Sequence, residues 1–167
     1  MRNFALIGAV GYIAPGHLRA IKDTRNRLIA ALDKSDSVGI IDAFFPEADF
    51  FTEFERFDRS LEILRRKEPE KAVHFASICS TYYLNDGHCR FALRIGADAI
   101  CEKPAVLYPW YIDALKEAEQ EYRQKIYTVL QSRLHPEIIK LKQKLETCEK
   151  SKIYDVDLTC ITARGSD

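Results

Sequence analysis

Apolar residues along the chain follow two alternating patterns, short uninterrupted runs and longer stretches with helical spacing. Runs typical of buried strands lie at residues 4–7, 27–32, 72–79, 97–101 and 126–130, with a short strand predicted near 49–51. Helical spacing occupies residues 12–23, 37–45, 53–67, 85–95 and 109–122. Because strands that alternate with helices through short connections pair in parallel, the pattern predicts an α/β fold with a doubly wound, mostly parallel Rossmann-type sheet.

A different pattern follows residue 130. Residues 135–150 have the spacing of a charged amphipathic helix, and residues 153–162 alternate apolar and polar side chains. Such alternation is typical of a strand with one wet face, as in an antiparallel sheet. The prediction is therefore a Rossmann domain over residues 1–130, followed over 131–167 by a crossover helix and only the first strand of a C-terminal antiparallel domain.

Composition narrows the classes of function. Lys+Arg and Asp+Glu both number 25, so the net charge of zero does not favour nucleic acid or an anionic membrane as partner. No segment approaches the ~20 apolar residues of a membrane span, and the first residues lack signal-peptide architecture, so the expected location is the cytoplasm. The five cysteines and four histidines lack the spacing of a zinc site, and we expect no metal.

A glycine turn separates the first predicted strand from the first predicted helix. Gly8 and Gly11 permit a tight turn, and the backbone there, with Tyr12 and Ile13, suits the pyrophosphate of a dinucleotide at a helix N-terminus. The spacing Gly-x-x-Gly-x-x-Ala is one residue longer than the usual fingerprint. A plain turn between strand and helix stays open as the alternative.

An acidic residue ends the second predicted strand. Asp33 stands about 20 residues beyond the glycines, where a carboxylate accepts hydrogen bonds from an adenosine ribose. Its charge favours NAD over NADP, since it repels a 2′-phosphate, while the neighbouring Lys34 softens that preference. The alternative is a solvated aspartate at a strand end.

Polar groups also follow the fourth strand in the predicted sheet. Ser80 begins the loop after residues 72–79, and its hydroxyl can meet a phosphate or ribose of the cofactor. His88 follows in the next helix and is a second candidate for contact with cofactor or substrate. A capping or packed histidine is an equally good interpretation.

Glu102-Lys103-Pro104 comes directly after the apolar run that ends at Cys101. The carboxyl edge of a parallel sheet is where ligands bind in open α/β folds. A lysine there suits proton transfer or the clamping of an anion. A solvated turn is the alternative reading of an isolated tripeptide.

Together these segments resemble the glucose–fructose oxidoreductase, inositol dehydrogenase and rhizopine-catabolism oxidoreductase family. The resemblance covers nearly the whole chain and rests on residues 7–14, on 77–80 leading to His88, and above all on 96–104. Residues 11–21 and 131–136 look most like the branch that oxidises the 3-hydroxyl of UDP-N-acetylglucosaminuronic acid in lipopolysaccharide sugar synthesis. Only the N-terminal portion of such an enzyme is represented.

The resemblance implies roles for individual residues. Lys103 is the catalytic lysine, close to the reacting hydroxyl and to the nicotinamide of NAD, and it also contacts the substrate. Glu102 helps hold the nicotinamide ribose. Gln131 lies on the cofactor side of the cleft, and Arg133 lies on the sugar-nucleotide side, where it can bind a carboxylate or phosphate in a bidentate fork.

Two features depart from the family pattern. Thr81-Tyr82 stands where members usually carry Pro-Asn, and most of the C-terminal domain, with its Asp/His pair near the lysine, has no counterpart. We expect a homo-oligomer if that domain is present. The leading hypothesis is an NAD-dependent sugar-nucleotide dehydrogenase, with two alternatives: a truncated or degenerate NAD-binding protein without turnover, and an interaction protein that pairs its terminal strand with a partner.

Overall fold

The computed structural model describes residues 1–36 and 38–148 together with residues 153, 155, 157 and 159. Within them, a single parallel sheet has the strand order β3-β2-β1-β4-β5-β6. The strands are β1 (Asn3–Ile7), β2 (Arg27–Leu32), β3 (Asp49–Phe51), β4 (Phe75–Ile78), β5 (Asp98–Cys101) and β6 (Ile126–Thr128). The helices are α1 (Ala14–Asp23), α2 (Val38–Phe44), α3 (Phe54–Lys67), α4 (Asn85–Arg94), α5 (Trp110–Tyr122) and α6 (Pro136–Glu146). The predicted α/β class and doubly wound sheet are confirmed.

Buried clusters cover both faces of the sheet. Every residue of β1 is buried, which explains why its sequence is a continuous apolar run. On one face the side chains of α1 and α2 pack on the strands, with Leu18 and Ile41 fully buried. On the other face Phe57 of α3 and Phe91 of α4 pack together with their rings 5.6 Å apart.

The strand order reverses between β1 and β4. The chain builds outward from β1 to β3 in one direction, then returns to pair β4 with the other edge of β1. In open α/β sheets a ligand crevice forms outside the carboxyl ends of the strands at such a switch point. The turn after β1 and the loop after β4 therefore meet at one place.

Most predicted elements differ from the observed ones only at their ends. The helix predicted from residue 12 begins at Ala14, because the residues before it belong to the glycine turn. The strand predicted over 72–79 is shorter, since Pro69–Lys71 forms a 3-10 turn and Val73 is buried before the strand begins. The helix predicted over 135–150 ends at Glu146. The strand predicted over 153–162 falls largely on residues outside the described ones.

The chain divides by its contacts into two units, Met1–Leu130 and Gln131–Asp167. The first contains the whole sheet and its packed helices. In the second, a 3-10 turn over Gln131–Leu134 precedes α6, whose N-cap His135 accepts a hydrogen bond from the Glu137 amide. None of the helices in the described part of the chain has both the length and the apolar character that crossing a membrane requires.

Candidate cofactor and catalytic site

The glycine turn after β1 lies against the end of β4. Gly8 has φ +85°, and a Cβ added there would stand 2.6 Å from the carbonyl carbon and oxygen of Cys79. A Cβ at Gly11 would stand 3.4 Å from the same oxygen. Gly8 is therefore required both by its backbone conformation and by the close approach of a neighbouring strand.

The amides of this turn fall into two groups. Gly8 N donates to Leu32 O at 2.8 Å, and Val10 N donates to the Asp33 carboxylate at 2.9 Å, so these donors shape the turn itself. In the part of the chain that the structure describes, the amides of Tyr12 and Ile13 donate to no protein acceptor. They stand at the positive end of α1, where a helix binds phosphate groups.

Asp33 joins the glycine turn to the end of β2. Its Oδ2 accepts from the Val10 amide, and its Oδ1 accepts from the Ser35 amide at 3.0 Å. Each carboxylate oxygen carries two lone pairs, so both retain capacity for a ribose hydroxyl. Asp33 thus stabilises the turn as well as facing the space beside it.

A cavity of about 540 Å³ opens beside Gly8 and Asp33. This volume lies in the ~300–1,000 Å³ range of ligand pockets. Its lining residues come from the ends of β1 and β2, from the segments that follow β1, β2, β3 and β4, and from the starts of α3 and α4: Ile7, Gly8, Leu32, Asp33, Lys34, Thr52, Phe54, Ser80, Thr81, Tyr83, Leu84, Gly87 and His88. Five residues predicted to bind the cofactor, Gly8, Asp33, Lys34, Ser80 and His88, are brought together here.

His88 lines this cavity with a packed, neutral imidazole ring. Its ring stacks on Phe54 at 5.5 Å, and burial lowers its pKa to about 4. Ser80 Oγ donates to Asn85 Oδ1 at 3.0 Å and lies 2.8 Å from His88 Nδ1. Because the hydroxyl has one proton to give, Nδ1–H donates to Ser80 and the other ring nitrogen, Nε2, is the acceptor.

The lysine turn follows β5 at the same edge of the sheet. The Glu102 amide extends the ladder by donating to Ile78 O at 2.9 Å, and the Lys103-Pro104 peptide is cis. Glu102 is buried, whereas about half of the Lys103 side chain is exposed, and its Nζ lies 3.7 Å from Glu102 Oε2. The motif therefore presents a lysine to solvent beside a buried carboxylate.

His17 completes this end of the site, although no role for it was predicted from the sequence. Its Nε2 lies 3.0 Å from Glu102 Oε1, and its Nδ1 lies 2.6 Å from Ser77 Oγ. The residue is on the buried face of α1, one position before Leu18. A signal was present, since 14, 17, 18 and 21 share one helical face, and a histidine on a face that packs on a sheet needs polar partners.

Asn85 was also missed. It begins α4, is fully buried, and donates through Nδ2 to the carbonyls of Glu102 at 3.2 Å and Pro104 at 2.8 Å. Its position at a helix start suggests a cap, and nothing local in the sequence indicates a contact with a turn 17 residues away.

Other predicted residues stand apart from the cavity or in the second unit. Tyr12 is 98% exposed, so its side chain contributes no wall. Gln131 and Arg133 lie in the 3-10 turn of the second unit and are exposed. Their contacts with cofactor and substrate stay predictions. In the described residues, no three His, Cys, Asp or Glu side chains come together as a metal site would need.

Comparison with known proteins identifies the family. Residues 2–130 match the model of the oxidoreductase family with an NAD-binding Rossmann fold, the family that includes glucose–fructose oxidoreductase and inositol dehydrogenase. The chain belongs to this family. The predictions of the family and of NAD as its cofactor are confirmed, and the glycine turn, free amides and Asp33-lined cavity fit such a dinucleotide.

Solved structures are consistent with this family assignment. The chain is similar to the WlbA (WbpB) dehydrogenase from Thermus thermophilus, crystallised with NAD and UDP-GlcNAcA, at 48% identity and a TM-score of 0.85. The match covers 89% of this chain and 48% of that one, so this chain spans about half the length of that relative. A myo-inositol 2-dehydrogenase from Lactobacillus plantarum shares the fold, with 15% identity and a TM-score of 0.72. That match covers 87% of this chain and 41% of the inositol dehydrogenase.

Proposed function

We propose that this chain provides the cofactor domain and catalytic lysine of an NAD-dependent sugar-nucleotide dehydrogenase. The substrate proposed is UDP-N-acetylglucosaminuronate, oxidised at its 3-hydroxyl for lipopolysaccharide sugar synthesis. The observation that carries the proposal is the placement of Lys103, beside the buried Glu102, at the sheet edge that also holds the glycine turn. The 48% identical dehydrogenase crystallised with NAD and UDP-GlcNAcA supports the choice of substrate.

The cofactor end of the site is formed by the turn and the cavity. The amides of Tyr12 and Ile13 bind the pyrophosphate, and Asp33 binds the adenosine ribose at the mouth of the cavity. NAD, when bound, accepts the hydride from the sugar carbon. Glu102 contacts the nicotinamide ribose, and Gln131 lies on the cofactor side.

The chemical step requires a group that receives the hydroxyl proton as the carbon loses hydride. Lys103 Nζ is that group: it receives the proton as the neutral amine, and about half of its side chain is exposed at the ligand edge. Arg133 binds the carboxylate or diphosphate of the substrate through its guanidinium fork. The proposed setting is a cytoplasmic homo-oligomer built through a C-terminal domain.

Two measurements test the proposal. Titration of NADH into the purified protein, followed by nicotinamide fluorescence, should show saturable binding. The full-length protein that carries this chain should then reduce NAD with UDP-N-acetylglucosaminuronate, and Lys103→Ala should lower kcat by about 10²–10⁴-fold with NADH affinity unchanged. Lys116→Ala, which removes an exposed lysine from α5, is the matched control and should leave kcat unchanged.

The possible outcomes distinguish the cofactor site, the role of the lysine and the sugar-nucleotide activity. Absence of saturable NADH binding would overturn the assignment of the cofactor site. Full turnover by Lys103→Ala would remove the lysine from the chemical step. NADH binding without turnover on the sugar nucleotide would instead favour an NAD-binding protein without dehydrogenase activity.

A further inference from the structure

The backbone on both sides of Lys103 is held by a single buried side chain. Asn85 Nδ2 donates to the carbonyl of Glu102 and to the carbonyl of Pro104, which are the residues immediately before and after the lysine. Asn85 itself is fully buried. We propose that Asn85 is a positioning residue that fixes the Lys103 backbone for proton transfer, an inference that rests on the proposed function for its catalytic part.

The orientation of the Asn85 amide follows from its partners. Its two N–H groups face two carbonyl oxygens, and its Oδ1 accepts the proton of Ser80 Oγ at 3.0 Å. A reversed amide would place its oxygen against both carbonyls and its N–H groups against the hydroxyl, so the network admits one arrangement. Both the Nδ2 and the Oδ1 groups of Asn85 are therefore engaged in hydrogen bonds.

The same network reaches the wall of the cofactor cavity. His88 donates to Ser80, Ser80 donates to Asn85, and Asn85 donates to the lysine turn. His88 and Ser80 line the cavity, whereas Asn85 is not among its lining residues. Asn85 therefore ties the position of the lysine to the cavity wall without occupying either the cavity or the reacting centre.

A matched pair of substitutions separates this role from general stability. Asn3, at the start of β1, is also buried and donates through Nδ2 to two carbonyls, Glu70 O at 2.9 Å and Ala72 O at 3.0 Å, at the opposite edge of the sheet. Asn85→Asp and Asn3→Asp each exchange an amide donor pair for a carboxyl group. Both should lower the stability of the protein, because each removes two hydrogen bonds that a buried side chain donates to backbone carbonyls.

The first measurement needs no cofactor and no activity. Hydrogen–deuterium exchange of the cofactor-free chain reports local opening of the turn through the Glu102 amide, which donates to Ile78. Asn85→Asp should accelerate exchange at Glu102 by at least about tenfold, the factor that corresponds to the loss of roughly one hydrogen bond. Asn3→Asp should leave exchange at Glu102 unchanged. Equal exchange in the two variants would overturn the proposal.

The second measurement addresses catalysis in the full-length protein. A displacement of about 1 Å in a reacting group costs on the order of 10²-fold in rate, so Asn85→Asp should lower kcat by about that factor while the KM for the sugar nucleotide and the affinity for NADH stay unchanged. Asn3→Asp should retain kcat. Ser80→Ala, which keeps both donors of Asn85 but removes the hydroxyl that orients it, should lower kcat by a smaller factor and serves if Asn85→Asp does not fold.

The two measurements separate the proposal from the function it builds on. Accelerated exchange at Glu102 in a protein that binds no NADH would leave the structural clamp standing while the proposed function fails. Unchanged kcat in both Asn85→Asp and Ser80→Ala, in an active enzyme, would show that Asn85 does not position the lysine for the chemical step.

Discussion

At the scale of residues, the motifs are supported by buried and half-buried polar side chains outside them. Glu102 is held by His17, the Lys103 turn by Asn85, and the glycine turn by Asp33. Such partners matter because a buried polar group that loses its hydrogen bond costs about 1–3 kcal/mol. The recognisable residues of the site therefore owe their geometry to less recognisable neighbours.

The bond between His17 and Glu102 can be tested through stability. His17→Ala leaves the buried Glu102 carboxylate without this donor, and we expect the free energy of unfolding to fall by about 1–3 kcal/mol. His17→Gln, which keeps an amide donor, should lose less. Urea denaturation of His17→Ala, Glu102→Gln and the double variant measures the coupling, and fully additive losses would contradict a direct interaction.

The packed imidazole of His88 predicts a dependence of stability on pH. Its folded-state pKa of about 4 lies below its ordinary value of 6.5, so between these values the unfolded chain binds more protons than the folded one. The contribution of the neutral His88 to the free energy of unfolding should therefore be fully present above pH 6.5 and should be lost as the pH decreases toward 4. Urea midpoints across this range should decline less in His88→Gln, which cannot titrate. Parallel profiles for the two proteins would show that His88 is not the group responsible.

At the scale of elements, strand positions could be predicted and long-range contacts could not. A strand buried on both faces is a run of apolar residues whichever strands it pairs with, so the positions of the strands could be predicted from the local sequence pattern. His17 and Glu102, by contrast, are 85 residues apart and meet only because α1 begins, and β5 ends, at the carboxyl edge of the same sheet. The glycine turn was predicted from the sequence as a site for the pyrophosphate. The close approach of Gly8 to the Cys79 backbone, which excludes any side chain at position 8, could be recognised only in the folded structure.

The junction of β1, α1 and β4 predicts contrasting effects of two glycine substitutions. Gly8→Ala places a Cβ 2.6 Å from the Cys79 backbone at positive φ, so the free energy of unfolding should fall by at least about 3 kcal/mol. Gly39→Ala, in α2 with no atom within 4 Å of the added Cβ, should stabilise the protein by about 0.5–1 kcal/mol. Thermal unfolding measures both, and a Gly8→Ala protein as stable as the parent would contradict the close approach of the two backbones.

At the scale of the whole molecule, the buried hydrophobic clusters of the described residues lie within the first unit. The three buried clusters contain residues of Met1–Leu130, whereas α6 in the second unit buries none of its side chains. The residues that line the cofactor cavity also precede Leu130. Burial of apolar surface is the dominant favourable contribution to folding, so the determinants of stability and of the cavity coincide in one part of the chain.

A chain ending at Leu130 should therefore fold and bind NADH. We expect cooperative urea unfolding with a free energy within about 1 kcal/mol of that of the 167-residue chain, because α6 buries none of its side chains. Fluorescence titration should still show saturable NADH binding, and any decrease in affinity measures the contribution proposed for Gln131. Gradual, non-cooperative unfolding would show that α6 is part of the folding unit, since a domain with its own core unfolds as one.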